Sequence, residues 1–280
     1  MKRSILGLIA GAAFLIVSCG KSSDTTDPAP VDKPVDGTEK VESVKVMAYN
    51  IHHCNPPSKP NLIDLEAIVT AIRTEKPDLL ALQEVDAYTE RSGTVNQAQA
   101  IASKLQMSYF FAKAIDYKGG EYGVAILSKY PISETVVHRL PTKAGSGGEA
   151  RVLATAKVTL PDGTFIRFGS THLDAQSDPA NRLLQVEKIN EIAAAEALPL
   201  IIAGDFNATP GSKEINTLDE RFKRTCQACA PTIPATSPTK AIDFIAYKHP
   251  ADKFSTLSHK VVNEQYASDH RPVVAVIGIN

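Results

Sequence analysis

The stretch Pro199 to Pro210, PLIIAGDFNATP, sets the tightest limit on what this chain can fold into. Leu200, Ile201, Ile202 and Ala203 form an apolar run bounded by Pro and Gly, which predicts a short strand buried on both faces. Asp205 and Asn207 follow two residues apart, on one face of an extended chain, while Phe206 turns the other way into apolar packing. A carboxylate and an amide thus converge at the end of a core strand, a pairing that suits a divalent cation or an attacking water. Taken alone, the same pair closes an Asx-type turn equally well.

Other segments repeat the pattern of an apolar run ending in polar groups. Val44 to Asn50, VKVMAYN, reads as a strand that ends at Asn50, followed by His52 and His53, two histidines that also read as a loop capping the strand. Apolar residues at helical period predict a helix over 62–75, stopped by Pro77. Residues 78–85, DLLALQEV, form a second buried strand ending in Gln83 and Glu84, where a core carboxylate needs a metal or another cation. A helix over 96–105 and strands over 108–115, 122–128 and 133–140 come next. The glycine-rich loop 144–150 lacks the lysine and helix of a phosphate-binding P-loop, and Arg151 follows it directly. Strands over 152–160 and 165–173 pair through a PDG turn, and the second delivers Ser170, His172 and Asp174 to one face.

The longest helix, 181–197, leads back into the opening strand, so this part of the chain reads strand, helix, strand. A short helix over 211–220 and a Pro/Thr-rich loop over 222–240 follow. Strand 241–247 sets Asp243 between Ile242 and Phe244, a costly burial unless the carboxylate is paired, and an imidazole is its natural partner. Ser268, Asp269 and His270 precede the last strand, 273–279.

The N-terminus reads as an address. Lys2 and Arg3 precede an apolar run from Ile5 to Val17 that is shorter than the ~18 residues a membrane span needs, so residues 1–18 are a signal peptide. Leu15 to Cys19 resembles a bacterial lipobox, which makes Cys19 the lipidated residue and residues 19–40, polar and proline-rich, a tether to a folded domain over 41–280. The expected location is the cell envelope, on a periplasmic or surface-exposed face, with the membrane reached through the anchor. Export makes the compartment oxidising, so Cys226 and Cys229 are candidates for a disulfide and Cys54 is left over.

Six short motifs occur here in the order found in the endonuclease/exonuclease/phosphatase superfamily. They are Asn50, the QE of 83–84, the THLD of 171–174, the GDFN of 204–207, the ID of 242–243 and the SDH of 268–270. The match spans roughly residues 44 to 280. The chain also resembles members with YNIHH in the first strand and YGxAILS in the middle, and departs from many of them at Val124, where Asn is common. The resemblance implies an α/β four-layer sandwich of two packed, mostly antiparallel mixed β-sheets flanked by helices, with a metal-dependent phosphoesterase site at one end. It gives Glu84 to Mg²⁺ or Mn²⁺, with Asp269 supporting the metal, and Asp205 to the attacking water, positioned by Asn50 and Asn207. His172 and His270 would donate to the phosphoryl oxygens, Asp243 would hold His270, and Arg91 and Arg151 are candidates for phosphate recognition or ordinary ion pairs.

Three activities compete for such a chain: hydrolysis of a small phosphate ester or lipid headgroup, an extracellular nuclease, and a surface lipoprotein that only binds. The last is disfavoured because Glu84, His172, Asp205 and His270 are all present. The formal net charge is −1, and losing Lys2 and Arg3 with the signal peptide takes it to −3, a balance that disfavours a nucleic-acid backbone as partner. A phosphate-ester hydrolase acting as a monomer is the reading carried forward.

Overall fold

The computed structural model describes residues 40–248 and 251–280. The signal peptide, Cys19 and nearly all of the tether lie outside these residues. Near the start of the described chain the Val41 amide donates to Asp162 Oδ2 at 2.8 Å.

Twelve strands among the described residues form two six-stranded sheets. The first contains β1 (Ser43–Asn50), β2 (Leu79–Ala87), β3 (Ser108–Tyr117), β4 (Gly120–Ser128), β11 (Phe254–Val261) and β12 (Val273–Ile279), in the order β11-β12-β1-β2-β4-β3. The second contains β5 (Ile132–Arg139), β6 (Val152–Thr159), β7 (Phe165–His172), β8 (Leu200–Asp205), β9 (Phe222–Arg224) and β10 (Asp243–Lys248), in the order β5-β6-β7-β8-β10-β9. Each sheet holds one parallel pair near its centre, β1 with β2 and β7 with β8. A helix crosses over each pair: α1 (Leu65–Glu75) the first and α3 (Ala180–Ala195) the second. Parallel neighbours need such crossovers, whereas antiparallel neighbours such as β3 and β4 can be joined by a short turn.

Inward-facing Val46, Ala48, Ala81 and Ile126 of the first sheet pack against Val152, Phe168, Ile201 and Ile245 of the second, which is why the central strands read as continuous apolar runs. The outer face of the first sheet is covered by Ile68, Val69 and Ile72 of α1 and Ile101 of α2 (Gln97–Leu105). The outer face of the second is covered by Val186 and Ile189 of α3 and Ile215 and Leu218 of α4 (Lys213–Asp219). Helix, sheet, sheet and helix make the four layers.

Differences from the sequence expectation sit at edges and caps. Helix α1 starts at Leu65 because Asp64 caps it, accepting from the Ala67 amide at 3.0 Å. The segment expected to be loop, 222–240, opens with the edge strand β9, and β11 has no counterpart in the sequence reading. Both are edge strands with polar, weakly alternating sequences, so they lack the pattern that marks a core strand. Cys226 and Cys229 are disulfide-bonded, and Cys54 is free and buried.

The sheet topology places one end of the sandwich in charge of chemistry. The C-terminal ends of β1, β2, β7 and β8 lie there, together with the N-terminal ends of β10 and β12, which run antiparallel to their neighbours.

Candidate active site

At the end of β8, Asp205 stands directly beside His172 of β7 in the parallel register and beside Asp243 of β10 in the antiparallel one. Gly204 makes this closeness feasible, since a Cβ there would meet the Thr171 carbonyl oxygen at 2.0 Å. After the strand, the Asn207 amide donates to Asp205 Oδ1 at 2.8 Å, so the Asx-type turn forms and leaves Oδ2 to face the site. Asn207 adopts a left-handed φ of 48°, and its side chain donates to the Leu173 carbonyl at 3.0 Å. Asn207 thereby shapes the strand end more than it reaches outward.

Three side chains address Asp205. Asn50 Nδ2 donates to its Oδ2 at 3.1 Å, and the same amide donates to Glu84 Oε1 at 3.1 Å. Nε2 of His172 and Nε2 of His270 stand 3.5 and 3.7 Å from Oδ2, beyond good hydrogen-bond length. Asp243 Oδ2 accepts from His270 Nδ1 at 2.9 Å and from Thr232 Oγ1 at 2.5 Å, the imidazole partner its burial calls for. Asp205, Asp243 and His270 each offer a ligand atom within 4.8 Å of the others.

The two histidines differ in charge. Arg151 Nη1 stands 3.2 Å from His172 Nδ1, and a guanidinium can only donate, so the ring proton of His172 is on Nε2, facing Asp205. Burial, then Arg151, then His270 hold its pKa well below the ordinary value, and His172 is a neutral donor. Burial alone would lower His270 too, but the carboxylate of Asp243 outweighs it and lifts the pKa to about 10, which makes this ring a cation at neutral pH. Asp205 is pushed up from the usual carboxylate range by burial and by Asp243, toward the strength of a base that works near neutral pH.

Glu84 occupies the opposite wall. The register of β2 against β4 shifts between Leu82 and Val85, a bulge that leaves Gln83 and Glu84 opposite the single residue Val124. Glu84 takes a left-handed φ of 53°, a conformation that costs an L-residue about 1–2 kcal/mol. Strain of this kind is retained where it aims a functional group. The half-buried carboxylate has one hydrogen-bond partner among the described residues, the amide of Asn50. Carboxylate and amide groups with no paired ammonium or guanidinium fit a hard divalent cation. Beside it, His52 and His53 also carry left-handed φ values, 45° and 44°, and join Glu84 in a second group whose ligand atoms lie within 4.8 Å. Burial, followed by Arg91 and His52, lowers the pKa of His53 to about 4, so its ring is neutral.

The remaining sequence candidates are placed differently. Asp269 belongs to neither group of three; among the described residues its carboxylate accepts one bond, at 3.4 Å from Ser268 Oγ, and its carbonyl accepts from the Ala235 amide at 2.7 Å. Arg91 clasps buried Asp86 through Nε and Nη2, at 2.7 and 2.8 Å, with its guanidinium 4.5 Å above the Tyr117 ring. Arg151 is buried, shared between His172 and Glu149 Oε1 at 3.0 Å. Asp174 turns away from His172 into its own loop, where Oδ1 accepts from the Gln176 amide at 2.9 Å. Ser170 Oγ donates to the Leu82 carbonyl at 3.2 Å and stitches the sheets together. The sequence reading assigned no chemical role to His52 and His53; their adjacency after a strand end was the available signal.

The site sits at one end of a two-sheet α/β sandwich, the architecture of a family of phosphate-ester hydrolases. A model of the Endonuclease/Exonuclease/phosphatase family matches residues 47–270, and the chain belongs to that family, whose members depend on a divalent metal. It is 27% identical to the Escherichia coli protein YbhP, described as uncharacterized, over 84% of this chain and 96% of that one. It superposes on an endonuclease/exonuclease/phosphatase from Beutenbergia cavernae with a TM-score of 0.73 at 21% identity, covering 86% of this chain and 72% of the other. The mannosyl-6-phosphatase of Bacteroides thetaiotaomicron shares the fold with a TM-score of 0.68 at 19% identity, over 84% and 99%.

Proposed function

We propose that this protein is a Mg²⁺- or Mn²⁺-dependent phosphoesterase of the cell envelope, anchored through Cys19 and acting on a small phosphate ester or lipid headgroup. The observation that carries the catalytic part is the environment of Asp205: one buried carboxylate addressed by Asn50, His172 and His270, with a lone acidic wall at Glu84. Asp205 takes a proton from the attacking water as the water oxygen bonds to phosphorus. Neutral His172 donates from Nε2 to a phosphoryl oxygen as negative charge builds there. Cationic His270, held by Asp243, gives its Nε2 proton to the leaving oxygen as the phosphorus–oxygen bond breaks. Asn50 spans the two walls and fixes their separation. A divalent cation held by Glu84 supplies Lewis-acid polarisation of the phosphoryl group when bound.

A compact substrate is favoured because both candidate arginines are committed inside the protein, Arg91 to Asp86 and Arg151 to His172 and Glu149. A nucleic-acid backbone needs several free cations along a groove. The same fold accommodates a protein named for a sugar phosphate, the mannosyl-6-phosphatase. The test is kcat/KM on phosphomonoesters, phosphodiesters, phospholipids and plasmid DNA, after chelation and after restoring Mg²⁺ or Mn²⁺. Turnover of a small ester or phospholipid that vanishes in chelator is expected, and DNA cleavage alone would overturn the substrate choice. For the anchor, Cys19→Ser is expected to leave the membrane fraction; an unchanged distribution would remove that part of the reading.

A further inference from the structure

The turn after β1 is built in an unusual way. Ile51 is followed by three consecutive non-glycine residues in left-handed backbone, His52, His53 and Cys54, with φ of 45°, 44° and 61°. L-residues avoid this region, and runs of it need outside support. The support is present: Gln97 Nε2 donates to the His53 carbonyl at 2.7 Å, the His52 amide to Asn50 Oδ1 at 3.1 Å, and the Cys54 amide to the Ile51 carbonyl at 2.8 Å. All this effort presents two adjacent imidazoles to Glu84, itself left-handed on the β2 bulge.

The imidazoles are dressed as ligands. His52 Nδ1 stands 2.8 Å from the Asn55 carbonyl oxygen, which can only accept, so the proton is on Nδ1 and the Nε2 lone pair is free. A backbone carbonyl on the far nitrogen is how ligating histidines are usually oriented. Nδ1 of His53 is buried with no partner. The two rings meet edge to face at 4.5 Å and 65°, a contact in which neither ring consumes the other's nitrogens. One ligand atom from each of His52, His53 and Glu84 falls within 4.8 Å of the others, a spacing that one ion can bridge.

We propose that His52, His53 and Glu84 form a single two-nitrogen, one-oxygen cation site, which makes this protein selective for a transition metal such as Mn²⁺ or Zn²⁺ over Mg²⁺. The proposal rests on the reading that Glu84 holds the metal and goes beyond it by naming nitrogen ligands. Oxygen donors alone suit Mg²⁺, whereas imidazole suits Zn²⁺, Co²⁺ and their neighbours, and affinity for such a site rises from Mn²⁺ toward Zn²⁺. Mg²⁺ also sheds its waters reluctantly and gains little from nitrogen. Asn50 Nδ2 donates to both Glu84 and Asp205, so an ion held by Glu84 would stand across that one amide from the proton-handling residues.

The test uses the full chain, stripped of metal, with Co²⁺ as optical probe and Zn²⁺, Mn²⁺ and Mg²⁺ compared by calorimetry. The parent is expected to bind one Co²⁺ with visible bands that report nitrogen ligation, and to bind Zn²⁺ at least ~10-fold more tightly than Mg²⁺. His52→Asn and His53→Asn keep a side chain that tolerates left-handed backbone and remove the ring. Each is expected to weaken Co²⁺ and Zn²⁺ by ~10-fold or more and to alter the Co²⁺ spectrum, with Mg²⁺ binding unchanged. Unchanged Co²⁺ affinity and spectrum in both variants, with circular dichroism like the parent's, would overturn the site while leaving metal-dependent hydrolysis through Glu84 intact. Co²⁺ bound through both histidines in a protein that hydrolyses no phosphate ester would support the site and sink the phosphoesterase reading instead.

Discussion

The two parallel strand pairs are the same device, strand, helix, strand, yet they end differently. The β7–β8 pair delivers His172 and Asp205 from regular, in-register strands, buried and surrounded by hydrogen-bonding partners. The β1–β2 pair delivers Asn50 in register but reaches Glu84 only through a bulge and His52 and His53 only through left-handed backbone. The dry end suits proton transfer, where a raised carboxylate and a cationic imidazole must keep their perturbed values. Its strained, half-buried counterpart suits an ion that arrives with water and has to be held from one side. On the proposed function, one architecture, repeated, would separate proton chemistry from charge neutralisation within a single site.

The comparison can be broken at either end. The largest effect is expected from Asp205→Asn, which keeps shape and removes the base: a loss of at least ~10²-fold in kcat, with metal affinity like the parent's in calorimetry. Glu84→Gln is expected to cost ~10²-fold as well, but through metal loss, so part of the rate returns at high metal concentration. A rate that metal restores in Asp205→Asn would erase the distinction between the two walls.

Glycine exchanges sharpen the contrast because their signs are opposite. Gly204→Ala forces a Cβ against the Thr171 carbonyl and is expected to destabilise the fold by about 2 kcal/mol or more, read as a fall in denaturant midpoint. Glu84→Gly removes the left-handed strain and is expected to stabilise by up to about 1 kcal/mol while abolishing metal binding.

The last effect is one of pH. His270 is raised in the folded state from 6.5 to about 10, so the folded protein binds the extra proton across that window. Its contribution to stability is complete below 6.5 and fades as pH rises toward 10. In the metal-free protein Tm is expected to fall over this range, and Asp243→Asn is expected to flatten that slope. An identical slope in the variant would mean that Asp243 does not hold the charge on His270.

The dry end was legible in the sequence because its residues sit two apart, or at the margins of apolar runs, where strand alternation gives their direction. GDFN announces both Asp205 and its turn, and the isolated acid in AIDFIAY announces a partner such as His270. At the other end only Asn50 and Glu84 were legible. The left-handed turn at 52–54 depends on Gln97, more than forty residues away in α2, and no local pattern encodes that support. Arg151 was half legible: its position after a glycine-rich loop left phosphate recognition and an ion pair both open, and its partner His172 comes from the neighbouring strand β7. Strands β9 and β11 escaped notice because edge strands need only one neighbour and one apolar face.

The double bond-making of Asn50 has a consequence for how the chain acquires activity. Its amide contacts Asp205 across 155 positions, and its carbonyl accepts from Ser268 across 218. Closing contacts of such long range costs loop entropy, so they are expected to form late in folding. On the proposed function, hydrolysis is expected in refolding only with the final cooperative step, and a chain still emerging from the ribosome is expected to stay inert until Ser268 to His270 have followed. The site cannot be assembled from half of the chain.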